Sequence, residues 1–461
     1  MELLLPYTNP DAAMDSSARD PPPKCHPGTR VDIIEQLEEW LESLSREYDM
    51  LWLYGPAGTG KSAIAQTFAE LCAERNRLGA TFFFSRPNHR DKPESVIPSL
   101  AYQLAYYCPA YKSIISQTIV DDPQLLRKAV HVQFKRLIIE PFSRLQAQGH
   151  EDVRQPFLVV LDGLDECAGV RAQSQFINMI SELVRLKRGF PILWLLCSRP
   201  ESHLKHVFSR IPECGRLELL LDEGSREDVE LFLRDSFAAI RDENPDIVPS
   251  NWPPEDQVRV VLRVASGLFV VGSVAFRYVD DPASGLGTPV ERLNTLVAYL
   301  VHSERVGAKS PLAALDLVYL QILSDVPSEV FPVTRRVLVH LAFRSLVENF
   351  AGRGTPAQAV CNMLQFDQST FYNALRHLHS VLKVSSSENA AHEQLEFYHA
   401  SFHDFLLEPS RSGVFTLKRQ EMFAVELKTY MLWHQSDHSA HYHEAQIQSM
   451  SHLSWGLVDH H

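Results

Sequence analysis

Apolar and polar residues follow two different periods along this chain, and the change from one to the other divides it. Residues 1–24 are polar, carry Pro21-Pro22-Pro23 and show no period, so they read as an extended leader. From Thr29 onward, Val31, Ile34, Leu37, Trp40, Leu41 and Leu44 recur at intervals of three and four, which predicts an amphipathic helix. Short apolar runs then appear at 50–54, 80–84, 157–161, 192–197 and 217–221. Helical patterns separate them at 61–77, 94–107, 127–148 and 171–187. Strands apolar on both faces and alternating with helices predict a parallel α/β sheet, ending near Asp222.

Beyond that point the pattern is helical. Segments 225–241, 256–280, 289–301, 311–323, 333–348, 356–364 and 368–380 read as helices, with prolines at the breaks. Apolar runs 381–384 and 395–398 flank a polar loop and predict a β-hairpin. Helices followed by a hairpin suggest a winged-helix unit. The expected division is a leader over 1–24, a nucleotide-binding domain over 25–224, a helical domain over 225–310, a winged-helix-like domain over 311–415, and a histidine-rich tail or the start of a further helical region over 416–461.

Composition narrows the class. A chain of 461 residues with 45% hydrophobic and 22% charged residues is ordinary globular material of about three domains. Its formal charge of −13 disfavours a protein whose main work is holding nucleic-acid phosphates. Seven scattered cysteines without a C-x-x-C pair point to a reducing compartment. The first residues lack the basic start of a signal peptide, and the longest apolar stretch, 267–278, is interrupted by Arg277. The expectation is a cytoplasmic protein with no membrane partner.

Three segments carry chemistry. The first is Gly55-Pro56-Ala57-Gly58-Thr59-Gly60-Lys61-Ser62, a complete G-x-x-x-x-G-K-S between a predicted strand and a predicted helix. Glycines let backbone N–H groups turn toward a phosphate, and the helix start adds partial positive charge. Lys61 is expected on the β- and γ-phosphates and the Ser62 hydroxyl on Mg²⁺. The second segment is the run 157–161 followed by Asp162-Gly163-Leu164-Asp165-Glu166. Asp162 ends a buried strand and is expected to bind Mg²⁺, with Asp165 or Glu166 polarising a water molecule. The third is Arg199, just past the run 192–197, where it can sense a γ-phosphate.

Together these segments resemble the NACHT branch of the STAND nucleotide-binding switch ATPases, most closely the fungal proteins of nephrocystin-3-like type. Asp15-Ser16-Ser17-Ala18, Cys25-His26-Pro27-Gly28-Thr29-Arg30, Ser198-Arg199-Pro200-Glu201 and His399-Ala400-Ser401-Phe402-His403-Asp404-Phe405-Leu406 extend the likeness over about 10–415. The resemblance implies a P-loop NTPase fold followed by helical and winged-helix parts that close over the nucleotide. It also implies that His399, or less favourably His403, contacts ADP phosphates. Thr29 and Arg30 would lie near base and ribose; Thr29 also reads as an ordinary helix cap. Phe269 stands where many relatives have a proline that packs on adenine.

The implied function is an ATP/ADP switch with slow Mg²⁺-dependent hydrolysis and nucleotide-controlled self-association. ATP rather than GTP is implied by the family alone. Separate effector or sensor proteins are expected partners, or else the chain is a shortened product, because little sequence flanks the switch. An ordinary turnover ATPase or kinase is the alternative, followed by a DNA-binding regulator using the winged helix. His438, His441 and His443 have metal-ligand spacing, but no completing cysteine or acidic pattern accompanies them.

Overall fold

The computed structural model describes residues 1–186, 189–304, 311–343 and 356–422. The histidine-rich segment after His434 and the end of the helix expected over 333–348 lie outside these residues. The chain forms two compact units, Met1–Leu220 and Leu221–His461.

The first unit is a parallel five-stranded sheet flanked by helices. Strands β1 (Met50–Tyr54), β2 (Leu78–Phe83), β3 (Phe157–Asp162), β4 (Ile192–Ser198) and β5 (Cys214–Glu218) stand in the order β2-β3-β4-β1-β5. The continuous apolar runs arise because both faces are covered. In β3, Phe157, Val159 and Leu161 join the apolar cluster on one face, whereas Leu158 and Val160 join the cluster on the other. The second of these faces packs on α1 (Val31–Glu42) and α2 (Lys61–Glu74) through Leu37, Leu41, Ile64 and Phe68. The opposite face carries α3 (Val96–Tyr107), α4 (Pro109–Asp121), α5 (Val130–Gln133), a π segment Phe134–Ile139 and α6 (Glu140–Ala147). Helices α7 (Val170–Leu186) and α8 (Ser202–Phe208) complete the unit. Each fully buried side chain of this size contributes about 1.5–3 kcal/mol.

Several elements differ from their sequence expectation. Helix α4 falls between two expected helices because Cys108 and Pro109 restart the chain after α3, with the Cys108 thiol accepting from the Tyr111 N–H. The helix expected over 127–148 runs from Val130 to Ala147, with π-type hydrogen bonding over Phe134–Ile139. Strand β5 lies three residues earlier than the apolar run 217–221, since Met50–Tyr54 pairs with Cys214–Glu218.

The first 24 residues are not a loose leader. Leu4 and Ala12 are fully buried in the core, the Asn9 N–H donates to Ser99 Oγ at 2.8 Å, and the Met14 N–H donates to Thr81 Oγ1 at 2.9 Å. The segment lacks a period because it forms short 3₁₀ turns rather than a helix or strand. The edge strand β2 is closed further by Gln103, whose amide takes both the N–H (2.9 Å) and the carbonyl (2.8 Å) of Thr81.

The second unit is helical. It contains α9 (Glu223–Glu243), α10 (Glu255–Ala265), α11 (Phe269–Val279), α12 (Pro289–Glu304), α13 (Pro311–Ser324), α14 (Phe331–Phe343), α15 (Ala357–Met363), α16 (Gln368–Leu375), α17 (Ala400–Leu407) and α18 (Pro409–Ser412). A two-stranded antiparallel sheet, β6 (Leu382–Lys383) with β7 (Glu396–Phe397), precedes α17. One helix was expected over 256–280; there are two, because Ser266 (φ 48°) and Gly267 (φ 85°) are both left-handed. A Cβ at Gly267 would stand 2.6 Å from Ser225 Oγ. A single apolar cluster runs from Val229 to Met422, so the segments expected as separate helical and winged-helix-like domains share one core.

Candidate phosphate-binding site

In a parallel sheet every strand ends at the same edge, so chemistry placed at strand ends converges there. Strand β4 lies between β1 and β3, with Tyr54 beside Ser198 and Leu161 beside Leu196. The G-x-x-x-x-G-K-S loop, Arg199 and Asp162 therefore leave three neighbouring strands side by side.

The loop runs from Gly55 to Gly60 and turns through Gly58 (φ 80°) and Gly60 (φ 94°), conformations that cost other residues about 1–2 kcal/mol. Gly55 is also required by space: a Cβ there would meet the Leu219 carbonyl at 2.9 Å. Pro56 is exposed, and Ala57 and Gly58 are half-buried. Thr59 is fully buried, and its hydroxyl donates to the Pro56 carbonyl at 3.0 Å. The Lys61 ammonium donates to the Gly55 carbonyl at 2.8 Å and the Pro56 carbonyl at 2.7 Å. Burial lowers its pKa to about 8; the Asp165 carboxylate opposes this, Arg199 reinforces it and Asp162 opposes it.

Asp162 is 3% exposed. Burial raises its pKa, while hydrogen bonding from Ser62 and the charges of Arg19 and Lys61 pull it down. Asp162 and Ser62 are thus brought together as a pair of hard oxygen donors, the type that suits Mg²⁺. Among the described residues no group of three or more His, Cys, Asp or Glu side chains forms a metal cluster. A magnesium ion here would take few protein ligands and complete its shell from phosphate and water, as Mg²⁺ usually does.

Asp165 and Arg199 are joined twice. The Arg199 backbone N–H donates to Asp165 Oδ1 at 2.9 Å, and its Nε lies 3.4 Å from Oδ2. Glu166 turns the other way and accepts the Arg86 N–H at 3.0 Å. Of the two acidic candidates, then, Asp165 meets the arginine and Glu166 meets the loop after β2. Gly163 makes this acidic turn possible. It sits at φ 73°, and a Cβ would lie 3.1 Å from the Phe84 carbonyl. Gly163→Val should cost about 2–3 kcal/mol of stability through a forced left-handed backbone and that clash. Chemical denaturation measures it, and a loss below about 0.5 kcal/mol contradicts the account.

Thr29 and Arg30 occupy the start of α1. The cap position is Arg30, in a left-handed conformation with φ 57°, and not Thr29. The Thr29 hydroxyl donates to the His26 carbonyl at 2.7 Å, whereas the Arg30 guanidinium reaches the Thr59 carbonyl at 3.0 Å. Arg30 therefore braces the phosphate loop from behind.

Three supporting residues escaped the sequence reading. Gln173, buried on α7, donates to the carbonyls of Asp165 (3.0 Å) and Cys167 (2.7 Å) and holds the acidic turn. A glutamine on an otherwise apolar helix face was the available signal. Arg86 donates its guanidinium to the Asp165 carbonyl at 3.2 Å. Arg19, from the N-terminal segment, stacks 3.5 Å from the centre of the Phe83 ring and donates to Gln66 Oε1 at 2.6 Å. Nothing in its local sequence signals this, because the segment has no period.

In the second unit, His399 caps α17 and is half-buried. Burial, reinforced by the neighbouring Arg277 charge, holds its pKa down to about 3, so its imidazole is neutral. The His403 ring lies 3.2 Å from the Ala342 carbonyl within the unit's core. Phe269 packs toward Phe232, with ring centroids 6.2 Å apart.

A parallel sheet with β4 between the phosphate-loop strand and the Asp162 strand, together with this loop, defines a P-loop NTPase fold. Residues 28–199 match the family described as Nephrocystin 3, N-terminal. No curated protein matches the chain. Solved structures similar to it include Cdc6p from Pyrobaculum aerophilum, 12% identical over 91% of this chain and 98% of that one, with a TM-score of 0.36. Another is Drosophila ORC bound to DNA, 17% identical over 84% of this chain and 96% of that one, TM-score 0.31. A third is C. elegans PCH-2, 13% identical over 60% of this chain and 67% of that one, TM-score 0.31. No helix among the described residues is long and apolar enough to cross a membrane.

Proposed function

We propose that this chain is a nucleotide-controlled switch of the NACHT and STAND kind. It holds ADP at rest, exchanges it for ATP with Mg²⁺, self-associates in the ATP state and resets by slow hydrolysis. The observation that carries this reading is the double contact between Asp165 and Arg199 at the sheet edge, beside the phosphate loop. A γ-phosphate competes with Asp165 for the arginine, and a diphosphate does not. A ligand shifts an equilibrium only through such a difference between states.

The other roles follow from the same edge. The loop 55–60 and Lys61 hold the phosphates, and Ser62 with Asp162 holds Mg²⁺, which when bound neutralises phosphate charge. Asp165 or Glu166 polarises the attacking water. Both carboxylates already hold N–H partners, which suits slow turnover. Thr29 and Arg30 lie near base and ribose, with Arg30 also supporting the loop. The hairpin and its neighbouring helices act as a winged helix that locks nucleotide rather than binding DNA, consistent with a net charge of −13. The match over 28–199 supports the class. Separate effector or sensor proteins are the expected partners, in the cytoplasm.

The test is the nucleotide content and mass of the purified chain. Co-purified ADP in a monomer, with a larger assembly after ATP loading, supports the switch. A folded monomer that binds neither nucleotide overturns it. His399→Ala should weaken ADP retention by about 5–30-fold, the worth of one hydrogen bond to a charged group, and favour the larger assembly. Unchanged ADP retention and unchanged mass would remove His399 from the mechanism.

A further inference from the structure

The acidic turn is tied to the Arg199 segment at a second place, through backbone rather than through carboxylates. Gln173 lies on the buried face of α7 and is 4% exposed. Its Nε2 donates to the carbonyls of Asp165 at 3.0 Å and Cys167 at 2.7 Å, on either side of Glu166. Its Oε1 lies 2.5 Å from Nε2 of His203, a half-buried residue in the first turn of α8. His203 follows Arg199 by four residues, and the fixed φ of Pro200 stiffens the piece between them.

A primary amide has two N–H donors, and Gln173 gives both to carbonyls. Turning the amide over would set its oxygen against two carbonyl oxygens, so Oε1 is fixed as the acceptor. His203 therefore presents Nε2–H, in the neutral ring and in the protonated ring alike. The contacts close a loop. Arg199 holds the Asp165 carboxylate, the Asp165 carbonyl holds Gln173, Gln173 holds His203, and the chain returns to Arg199. A γ-phosphate that draws the guanidinium from Asp165 breaks the side-chain half of this loop. The backbone half is bonded to carbonyls, which do not attract a phosphate, and it stays closed.

We propose that Gln173 and His203 are positioning residues for hydrolysis, holding the Asp165-Glu166 turn in place once Arg199 has moved to the γ-phosphate. The proposal rests on the switch reading for the reaction, and on the hydrogen bonds alone for the hold on the turn. In the reaction a water oxygen bonds to the γ-phosphorus as the bond to the β–γ bridging oxygen breaks. ADP leaves with that electron pair, and the water proton passes to a carboxylate of the turn and on to solvent. A misplacement of about 1 Å costs much of a polarising group's effect, whichever of the two carboxylates serves. Hydrolysis should therefore depend on Gln173 and His203, and nucleotide affinity should not.

The experiment uses the full chain in two arms. In the first, without nucleotide, hydrogen exchange is followed in His203→Leu and Gln173→Leu. Exchange over residues 163–167 should rise about 5–30-fold above the wild type, with the phosphate loop unchanged. In the second arm, ATP and ADP affinities and the single-turnover hydrolysis of bound ATP are measured. His203→Leu should hydrolyse about 5–30-fold more slowly, while both affinities stay within about twofold. His203→Gln keeps an N–H donor near the place of Nε2 and should regain most of the rate and of the protection. Gln173→Leu combined with His203→Leu should be no slower than Gln173→Leu alone, because the two act through one contact. An unchanged rate, unchanged exchange, affinity lost in step with rate, or no rescue by His203→Gln overturns the proposal. A wild type that binds ATP and does not hydrolyse it overturns the hydrolytic role. A wild type that binds no nucleotide but shows the exchange changes overturns the switch reading and keeps the hold on the turn. Should Gln173→Leu fail to fold, His203→Leu and His203→Gln decide by themselves, since His203 is only half-buried.

Discussion

Lys61→Ala should lower the affinity for MgATP and MgADP by about 10²–10³-fold. Two hydrogen bonds to a charged phosphate are worth about 3–5 kcal/mol together, and about 1.4 kcal/mol is tenfold in affinity. The fold should survive, because the hydrogen bonds of the Lys61 ammonium go to carbonyls of its own loop, those of Gly55 and Pro56. The same lysine makes binding depend on pH. Burial holds its pKa near 8 in the free protein, and a bound phosphate favours the charged form. Binding therefore takes up a proton above about pH 8, and wild-type affinity should fall as pH rises through that point. The stability of the free protein runs in the opposite direction. Its folded pKa is lower than the unfolded value of 10.5, so stability increases from about pH 8 toward 10.5. The alanine variant should lack both slopes. Calorimetric titrations at a series of pH values check this, and parallel wild-type and variant profiles would contradict it.

Asp162→Asn should separate magnesium from folding. The carboxylate is buried and its pKa raised, so ionising it opposes folding, and this cost grows as pH rises above the unfolded carboxylate range. Asparagine has nearly the same shape without the charge. The free variant should match the wild type or exceed it by up to about 1 kcal/mol at neutral pH. The gain that Mg²⁺ adds to ATP binding should meanwhile fall by about 10–100-fold, because one of the two oxygen donors proposed for the ion loses its charge. Magnesium titrations at fixed ATP and denaturant melts of the free protein measure the two effects. A variant that loses stability while keeping its Mg²⁺ dependence would place Asp162 in the scaffold.

Much of this was legible from residue order. Alternating apolar runs and helical patterns located β1 to β4, because burial on both faces leaves its mark in each of these strands separately; β5, whose Arg216 and Glu218 are exposed, lies three residues before the run that suggested it. The phosphate loop was legible for a similar reason: Gly58 and Gly60 record a backbone requirement that only glycine meets cheaply. The misses share one cause. The break at Ser266-Gly267 looked like one continuous helical pattern, since periodicity does not reveal two left-handed residues in succession. The packing of Leu4 and Ala12 left no period at all.

By itself, the sequence determined the α/β class, the phosphate loop and the three strand ends that carry its chemistry. Each depends on residues close together in the chain, whose spacing is enough to state the requirement. The tertiary structure decided which of those groups meet. It joined Asp165 to Arg199 and sent Glu166 to Arg86. It also set Arg19 over Phe83 and Arg277 against the Tyr398 ring. Such pairings depend on strand order, register and helix placement. Local hydrophobic patterns do not encode them, because a charged residue looks the same in sequence whether or not its partner reaches it.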